Sequence, residues 1–300
     1  MKKYICYVVS LVAACLLAVS CGDNNNNNET ITEQTLSNCF AYVSDIAEGP
    51  SAYITGMGYK VRLNYTAPSA DVTISGLKLT DDTTYPSFTL SGLKFAIDKD
   101  GWIVLTGENL RPSVPGVAVS PVIGRFSMRL YQRVIGNTYS PAFCVSMTLD
   151  GRYSVVSSYP GQGCYGTTKS VATGMPPFET NSTQYALAFN TNTRCVTINI
   201  VNAQFMTQMP AMNIVLKNIP FVMRGTKAVF EIDNITPESN DTPYPAFPIS
   251  NLKGELDFGA GLDLSFDCAP VKFNGVVFNV TADCGFPVVE SKIKKNRLVQ

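Results

Sequence analysis

The sequence predicts an all-β protein built from two tandem antiparallel β-domains of about eight strands each. Three observations carry this. Short runs alternate apolar and polar residues between turn-forming clusters, as in "YKVRLNY", "VTINIV", "AVFEID" and "LDLSFD". The chain repeats itself at a near-constant shift. Beyond residue 20 there is no stretch with an apolar stripe of helical period.

The N-terminus comes first. Lys2 and Lys3 precede the apolar run "YICYVVSLVAACLLAV", which is shorter than a spanning helix and gives way at once to polar residues. This is the pattern of a secretory signal over residues 1–20. The stretch Leu17-Ala18-Val19-Ser20-Cys21 resembles the lipobox of bacterial lipoproteins, in which the cysteine is acylated and becomes the new N-terminus. The resemblance implies that Cys21 is the lipid attachment point and that the membrane is a partner through that lipid. Residues 21–37, with the run Asn24 to Asn28, read as a polar tether. The signal and tether together resemble lipoproteins of gut Bacteroidetes. That implies an outer-membrane location, on the periplasmic face or the cell surface.

The two copies follow. "WIVLTGENLRP" at 102–112 lines up with "KAVFEIDNITP" at 227–237, a shift of 125 residues, and "DVTISGLKL" at 71–79 matches "CVTINIVNA" at 195–203, a shift of 124. Cys39 falls on Cys164 and Cys144 on Cys268. The period far exceeds that of solenoids, so residues 38–160 and 161–290 read as two copies of one domain. The junction "SSYPGQG" at 157–163 reads as a linker crossed by few contacts. Two hairpins are legible, turning at Asp98 to Gly101 and at Gly259 to Gly261. The same pattern suits a small closed barrel or a two-sheet sandwich. The terminal "SKIKKNRLVQ", with residues 291–300 as a basic tail, reads as a solvated end.

Chemistry is constrained mostly by what is missing. The chain has no histidine, which excludes His-based nucleophilic triads and His-ligated metals. No enzyme activity, metal or other cofactor is expected. Once Lys2 and Lys3 leave with the signal, 21 basic residues face 23 acidic ones, so no cationic surplus invites nucleic acid. "DKDG" at 98–101 reads as a turn rather than a calcium loop, because copy two has "RGTK" there. Asp81, Asp82, Asp241, Asp257 and Asp263 read as solvated turn residues.

Six cysteines lie beyond Cys21, an even number in an exported chain. The repeat orders them into candidate disulfides Cys39–Cys144, Cys164–Cys268 and Cys195–Cys284, with buried thiols as the alternative. Met206, Met212 and Met223 are candidate lining for an apolar ligand, or gap-fillers. Tyr59, Tyr65, Tyr85, Tyr131, Tyr139, Tyr153, Tyr165 and Tyr244 are candidate sugar-stacking rings, or core.

The order "VTINIVNAQF…MPAMNIVLKNIPF…AVFEIDN…LKGELDFGAGLDLSFDC" resembles the calycin-like β-barrel domains of Bacteroidetes lipoproteins. The resemblance implies a non-enzymatic, lipid-anchored envelope protein that binds a small apolar molecule inside a barrel. Calycins carry a Gly-X-Trp near the first strand, whereas Trp102 sits mid-copy and has no counterpart in copy two. Two other readings stay open: a structural or adhesive fimbrillin-like protein with a displaceable strand at "VVFNVTADC", and a glycan-binding surface lipoprotein.

Overall fold

The computed structural model describes residues 31–286 apart from 48, 118–119, 132–133, 136–137 and 140–141. The signal, Cys21 and the basic tail lie outside the described residues. Among those described, the only helical turn is a 3-10 turn at Val271–Phe273, and no helix is long and apolar enough to cross a membrane.

The first half forms β1 (Ile31–Asp45), β2 (Ser51–Asn64), β3 (Ser69–Ser75), β4 (Phe88–Ile97), β5 (Ile103–Leu110), β6 (Ile123–Tyr131), the short hairpin β7 (Val134–Ile135) and β8 (Thr138–Tyr139), then β9 (Ala142–Leu149) and β10 (Tyr153–Ser158). Every neighbouring pair is antiparallel, and β1 pairs with β10 to close an eight-stranded barrel. The second half forms β11 (Gly161–Val171), β12 (Phe178–Thr180), β13 (Gln184–Asn190), β14 (Cys195–Ala203), β15 (Met212–Arg224), β16 (Lys227–Ile235), β17 (Glu238–Ser239), β18 (Thr242–Pro243), β19 (Ile249–Asp257), β20 (Gly261–Cys268) and β21 (Phe278–Gly285). Here β11 pairs with β21 and β14 with β15, so eight of these strands close a second barrel of the same up-and-down order. Closure pairs both edges of each eight-stranded wall, which settles barrel over sandwich.

Alternation decides which side chains face inward. In β14, Val196, Ile198 and Ile200 are buried while Thr197 and Asn199 are less so, and β20 does the same with Leu262, Leu264, Phe266 and Cys268. Both interiors are filled. Barrel one holds Leu36, Met57, Tyr59, Phe126 and Phe143, and barrel two holds Tyr185, Phe205, Phe230, Leu252 and Phe266, all nearly inaccessible to solvent. Eight strands enclose a space just wide enough for side chains.

Two glycines make the tight closure of barrel two possible. A Cβ on Gly166 would stand 2.2 Å from the Asp283 carbonyl oxygen, and one on Gly261 would stand 2.1 Å from that of Cys284. Strand β21 is thus gripped on both sides by backbones too near for a side chain.

Two expectations need correction. Strand β1 begins at Ile31, so residues 31–37 belong to the barrel wall rather than the tether: Gln34 and Leu36 are buried and pair along β2. The polar spacing of "ITEQTL" hid this, since only every second residue points inward. The junction is also not sparsely contacted. Only Tyr159 and Pro160 separate β10 from β11, and the outer wall of barrel one covers one mouth of barrel two. Phe40 meets Phe258 at 5.5 Å between ring centroids, Tyr53 meets Phe221 at 5.7 Å, and Trp102 meets Phe286 at 5.5 Å. Phe189 wedges between Phe221 and Phe258, and the Arg194 guanidinium lies 5.8 Å from the Tyr53 ring centre. Two buried serines near the junction bond locally, with Ser157 donating to the Phe40 carbonyl at 2.7 Å and Ser158 to that of Phe143 at 2.6 Å.

Candidate functional site

Trp102 belongs to this inter-barrel contact. It stacks obliquely on Tyr131 and meets Phe286 edge-on, with the Arg129 guanidinium 4.8 Å from its ring centre. Asp98 fixes the arrangement. Its carboxylate accepts from the amides of Asp100 and Trp102, each at 2.9 Å, and from Arg129 at 2.7 Å. "DKDG" is therefore a turn whose first carboxylate is already engaged.

Burial alone would raise the Asp98 pKa, but the Trp102 and Asp100 amides and Arg129 outweigh it and hold it below the usual carboxylate range. A depressed folded-state pKa means stabilisation that is present above the unfolded value, about 3.9, and is lost as pH falls through the folded one. Asp98→Asn should lower the melting temperature at pH 7, and its difference from the parent should shrink as pH falls below about 4. A gap that does not depend on pH would refute this role.

The six cysteines are all thiols, so none of the expected disulfides is formed. Geometry explains each failure. Cys39 faces the interior of barrel one, whereas Cys144 faces outward into the inter-barrel cluster. A shift of 125 rather than 124 puts Phe143, not Cys144, on Cys268, and a one-residue slip reverses the face. Cys164 and Cys268 both face into barrel two but at opposite ends. Cys268 is level with Phe278, next to the Asn279 that pairs with Val171, seven residues along β11 from Cys164, or roughly 23 Å. Cys195 is half-exposed on the outside of its strand while Cys284 is buried.

Burial pushes the thiols of Cys144 and Cys284 up to about 12 and raises that of Cys268 as well. Native alkylation of residues 22–300 should therefore modify Cys195 alone, with all six reacting after unfolding. Mass-mapped adducts at buried positions, or fewer than six in denaturant, would contradict the thiol assignment.

The three methionines do not share one pocket. Met212 opens β15 at the mouth far from barrel one, with Met206 in the preceding loop, while Met223 ends the same strand at the covered mouth. Eleven residue steps of strand lead from Met212 to Met223, about 36 Å if fully extended. The interior between them is core, and its polar pair is satisfied: Thr168 and Tyr185 hydroxyls lie 2.9 Å apart, and burial raises the Tyr185 pKa. A small apolar ligand would have to displace aromatic side chains.

Among the described residues, the candidate tyrosines form no stacking platform either. Tyr59, Tyr131 and Tyr153 are buried, and the exposed Tyr65 and Tyr244 sit on different barrels. Asp81 is not merely solvated, for it accepts the Tyr153 hydroxyl at 2.7 Å. Residues 276–284 lie largely in β21, hydrogen-bonded on both sides, so no strand there is free to be exchanged.

A concave site does exist, on the outer wall of barrel two. It encloses about 650 Å³ over β12, β11, β21, β20, β19 and β16. Register lines up its side chains in two rows across the wall. One runs Glu179, Lys169, Thr281, Ser265, Lys253, Glu231, and the other Thr167, Asp283, Asp263, Glu255, Val229. Lys169 bridges to Glu179 at 3.5 Å. Lys227 hydrogen-bonds Glu255, which raises the lysine pKa. Asp263 and Asp283 face each other across neighbouring strands, a like-charge pairing that destabilises a sheet. By sequence Asp263 is one more solvated turn residue, and the cleft is not legible there because its residues come from six separate strands. Among the described residues, no group of three acidic or cysteine side chains is placed to hold a metal.

No known family matches the chain, and no curated protein does. Similar solved structures include intact Ap-TbpB with its N and C lobes, at 6% identity, covering 86% of this chain and 77% of that one, with a TM-score of 0.24. Another is Transferrin Binding Protein B from Haemophilus parasuis Hp5, at 6% identity, covering 84% and 76%, with a TM-score of 0.22. At these scores the likeness carries no weight here. The architecture rests on the strand pairing itself.

Proposed function

We propose that this chain is a non-enzymatic, lipid-anchored protein of the bacterial outer membrane that captures a polar, hydroxyl-rich ligand of the glycan class on the outer wall of barrel two. The observation that carries the reading is the cleft. Its carboxylates accept, and its lysines donate, the hydrogen bonds that sugar hydroxyls offer in both directions, with Thr167, Ser265 and Thr281 between them. The filled interiors favour a wall site over a luminal one. The Leu17–Cys21 junction supports the anchor.

Two measurements test the reading. Cys21→Ala should abolish lipid labelling and release the protein from membranes, and retention with labelling would defeat the anchor. Residues 22–300 should be retarded by a subset of polysaccharides in affinity electrophoresis. Thr281→Trp, which fills the cleft, should weaken that interaction about tenfold or more, equivalent to ~1.4 kcal/mol. Retardation by no glycan, or undiminished binding by the tryptophan variant, would overturn the glycan reading.

A further inference from the structure

The cleft on the outer wall of barrel two is not electrically balanced. Its lining sets five carboxylates against two lysines. Three of the five are answered inside the protein. Glu179 bridges to Lys169, Glu231 pairs in register with Lys253, and Glu255 takes the Lys227 ammonium. Asp263 and Asp283 are left over. They sit directly opposite one another on β20 and β21, with Thr167 beyond Asp283. Both are exposed, and among the described residues neither makes an ion pair or a side-chain hydrogen bond. Burial first, and then the fields of Asp283 and Asp263, push the Cys284 thiol up to about 12.

The same strands show how this wall holds a carboxylate that has its donors built in. Asp267 lies further along β20 on the same face, and the side-chain amides of Asn251 and Asn279 donate to its two oxygens at 2.7 and 2.6 Å. Asp263 and Asp283 have no such donors. Residues directly opposite on antiparallel strands hold their Cβ atoms about 5 Å apart, so the two charges repel, and one cation between them would touch both. A divalent metal takes more oxygen ligands than the pair supplies, and among the described residues no third acidic or cysteine side chain is placed to complete a site. An ammonium group asks for less. It directs three donors at carboxylates and hydroxyls, and Thr167 stands beside Asp283 while Thr281 and Ser265 stand one row along.

We propose that Asp263 and Asp283 form an ammonium subsite within the cleft, so that its ligand is a glycan carrying unsubstituted amino sugars. This rests on the glycan reading of the cleft and narrows it to a cationic class. Hydroxyls of the flanking sugars meet the row that runs from Lys169 through Thr281 and Ser265 to Lys253, about 7 Å along the strands from the aspartate pair. The test titrates residues 22–300 with two hexasaccharides that differ only at nitrogen, the glucosamine hexamer and its N-acetylated form. Mildly acidic buffer keeps the sugar amines protonated. Oligolysine of matched charge is the third titrant.

The glucosamine hexamer should bind about tenfold or more tightly than the acetylated one, and its advantage should shrink as salt rises, because the charges are solvent-exposed. In the double variant Asp263→Asn, Asp283→Asn the two hexamers should bind alike. That variant relieves a like-charge pairing, so its melting temperature should not fall below the parent's, and a lower one would contradict the unanswered state of the two carboxylates. Binding of neither hexamer, equal affinity for both, or an amine preference that survives in the double variant would each overturn the subsite. Tighter binding of oligolysine than of the glucosamine hexamer would overturn it too, by placing a basic peptide in the cleft. The wider glycan reading is decided separately, by retardation on polysaccharides and its loss in Thr281→Trp.

Discussion

Phe258→Ala is expected to lower the unfolding free energy by about 3–5 kcal/mol, the range for deleting a buried aromatic ring. Phe258 is fully buried although it lies beyond the end of β19, at the mouth of barrel two. Its ring meets Phe40 from barrel one and Phe189 from barrel two, so removing it opens a cavity on the seam rather than inside either barrel. The loss should also change the character of unfolding. The parent should unfold in one calorimetric transition, and the variant should separate into two, because the seam is what couples the barrels. Urea titration gives the magnitude and scanning calorimetry the coupling. A loss below about 1 kcal/mol, in the range of surface substitutions, would show that the seam is not load-sharing.

Gly166→Val is the second large effect, acting through the backbone. The Cβ would stand 2.2 Å from the Asp283 carbonyl oxygen and 2.6 Å from the Cys284 Cα, so β11 and β21 must part where they close barrel two. Overpacking in a fixed core costs about 1–3 kcal/mol, and this site should reach the top of that range because the obstruction is backbone, which cannot change rotamer. Gly285→Ala is the control: nothing lies within 4 Å of its Cβ, and it should change stability by no more than about 0.5 kcal/mol. Soluble Gly166→Val protein with parental urea resistance would contradict the closure described for barrel two.

Much of the fold was legible in the residues. Alternation in "CVTINIV" and "KAVFEID" marks strands because a half-buried sheet requires a period of two, and β14 and β16 occupy those segments. The repeat is legible for the same reason, since β5 and β16 hold the same place in their barrels. What escaped is what alternation does not encode. A run such as "AFCVSM" looks uniformly apolar, yet Phe143 and Val145 face the interior of barrel one while Cys144 faces barrel two. An outward aromatic such as Phe40 cannot be told from a core residue until the neighbouring barrel is placed against it. The disulfide pairing failed there, because it treated equivalent position as equivalent face.

The cleft was hidden by sequence distance. Glu179, Asp283, Ser265, Lys253 and Glu231 meet only through strand register, and singly each is an ordinary solvated residue of a polar outer face. The methionines misled in the opposite direction. They cluster in sequence, yet β15 carries Met212 and Met223 to opposite mouths of the barrel.

The central claim is that both interiors are packed core and that recognition belongs to the walls. Titrating residues 22–300 with a fluorescent fatty-acid analogue, while following the melting temperature, tests it most directly. The account predicts no saturable uptake and an unchanged melting temperature, because the space is already held by Tyr185, Phe205, Phe230 and Phe266. Saturable one-to-one uptake with a melting temperature that climbs with probe concentration, as mass action requires of a luminal ligand, would contradict it.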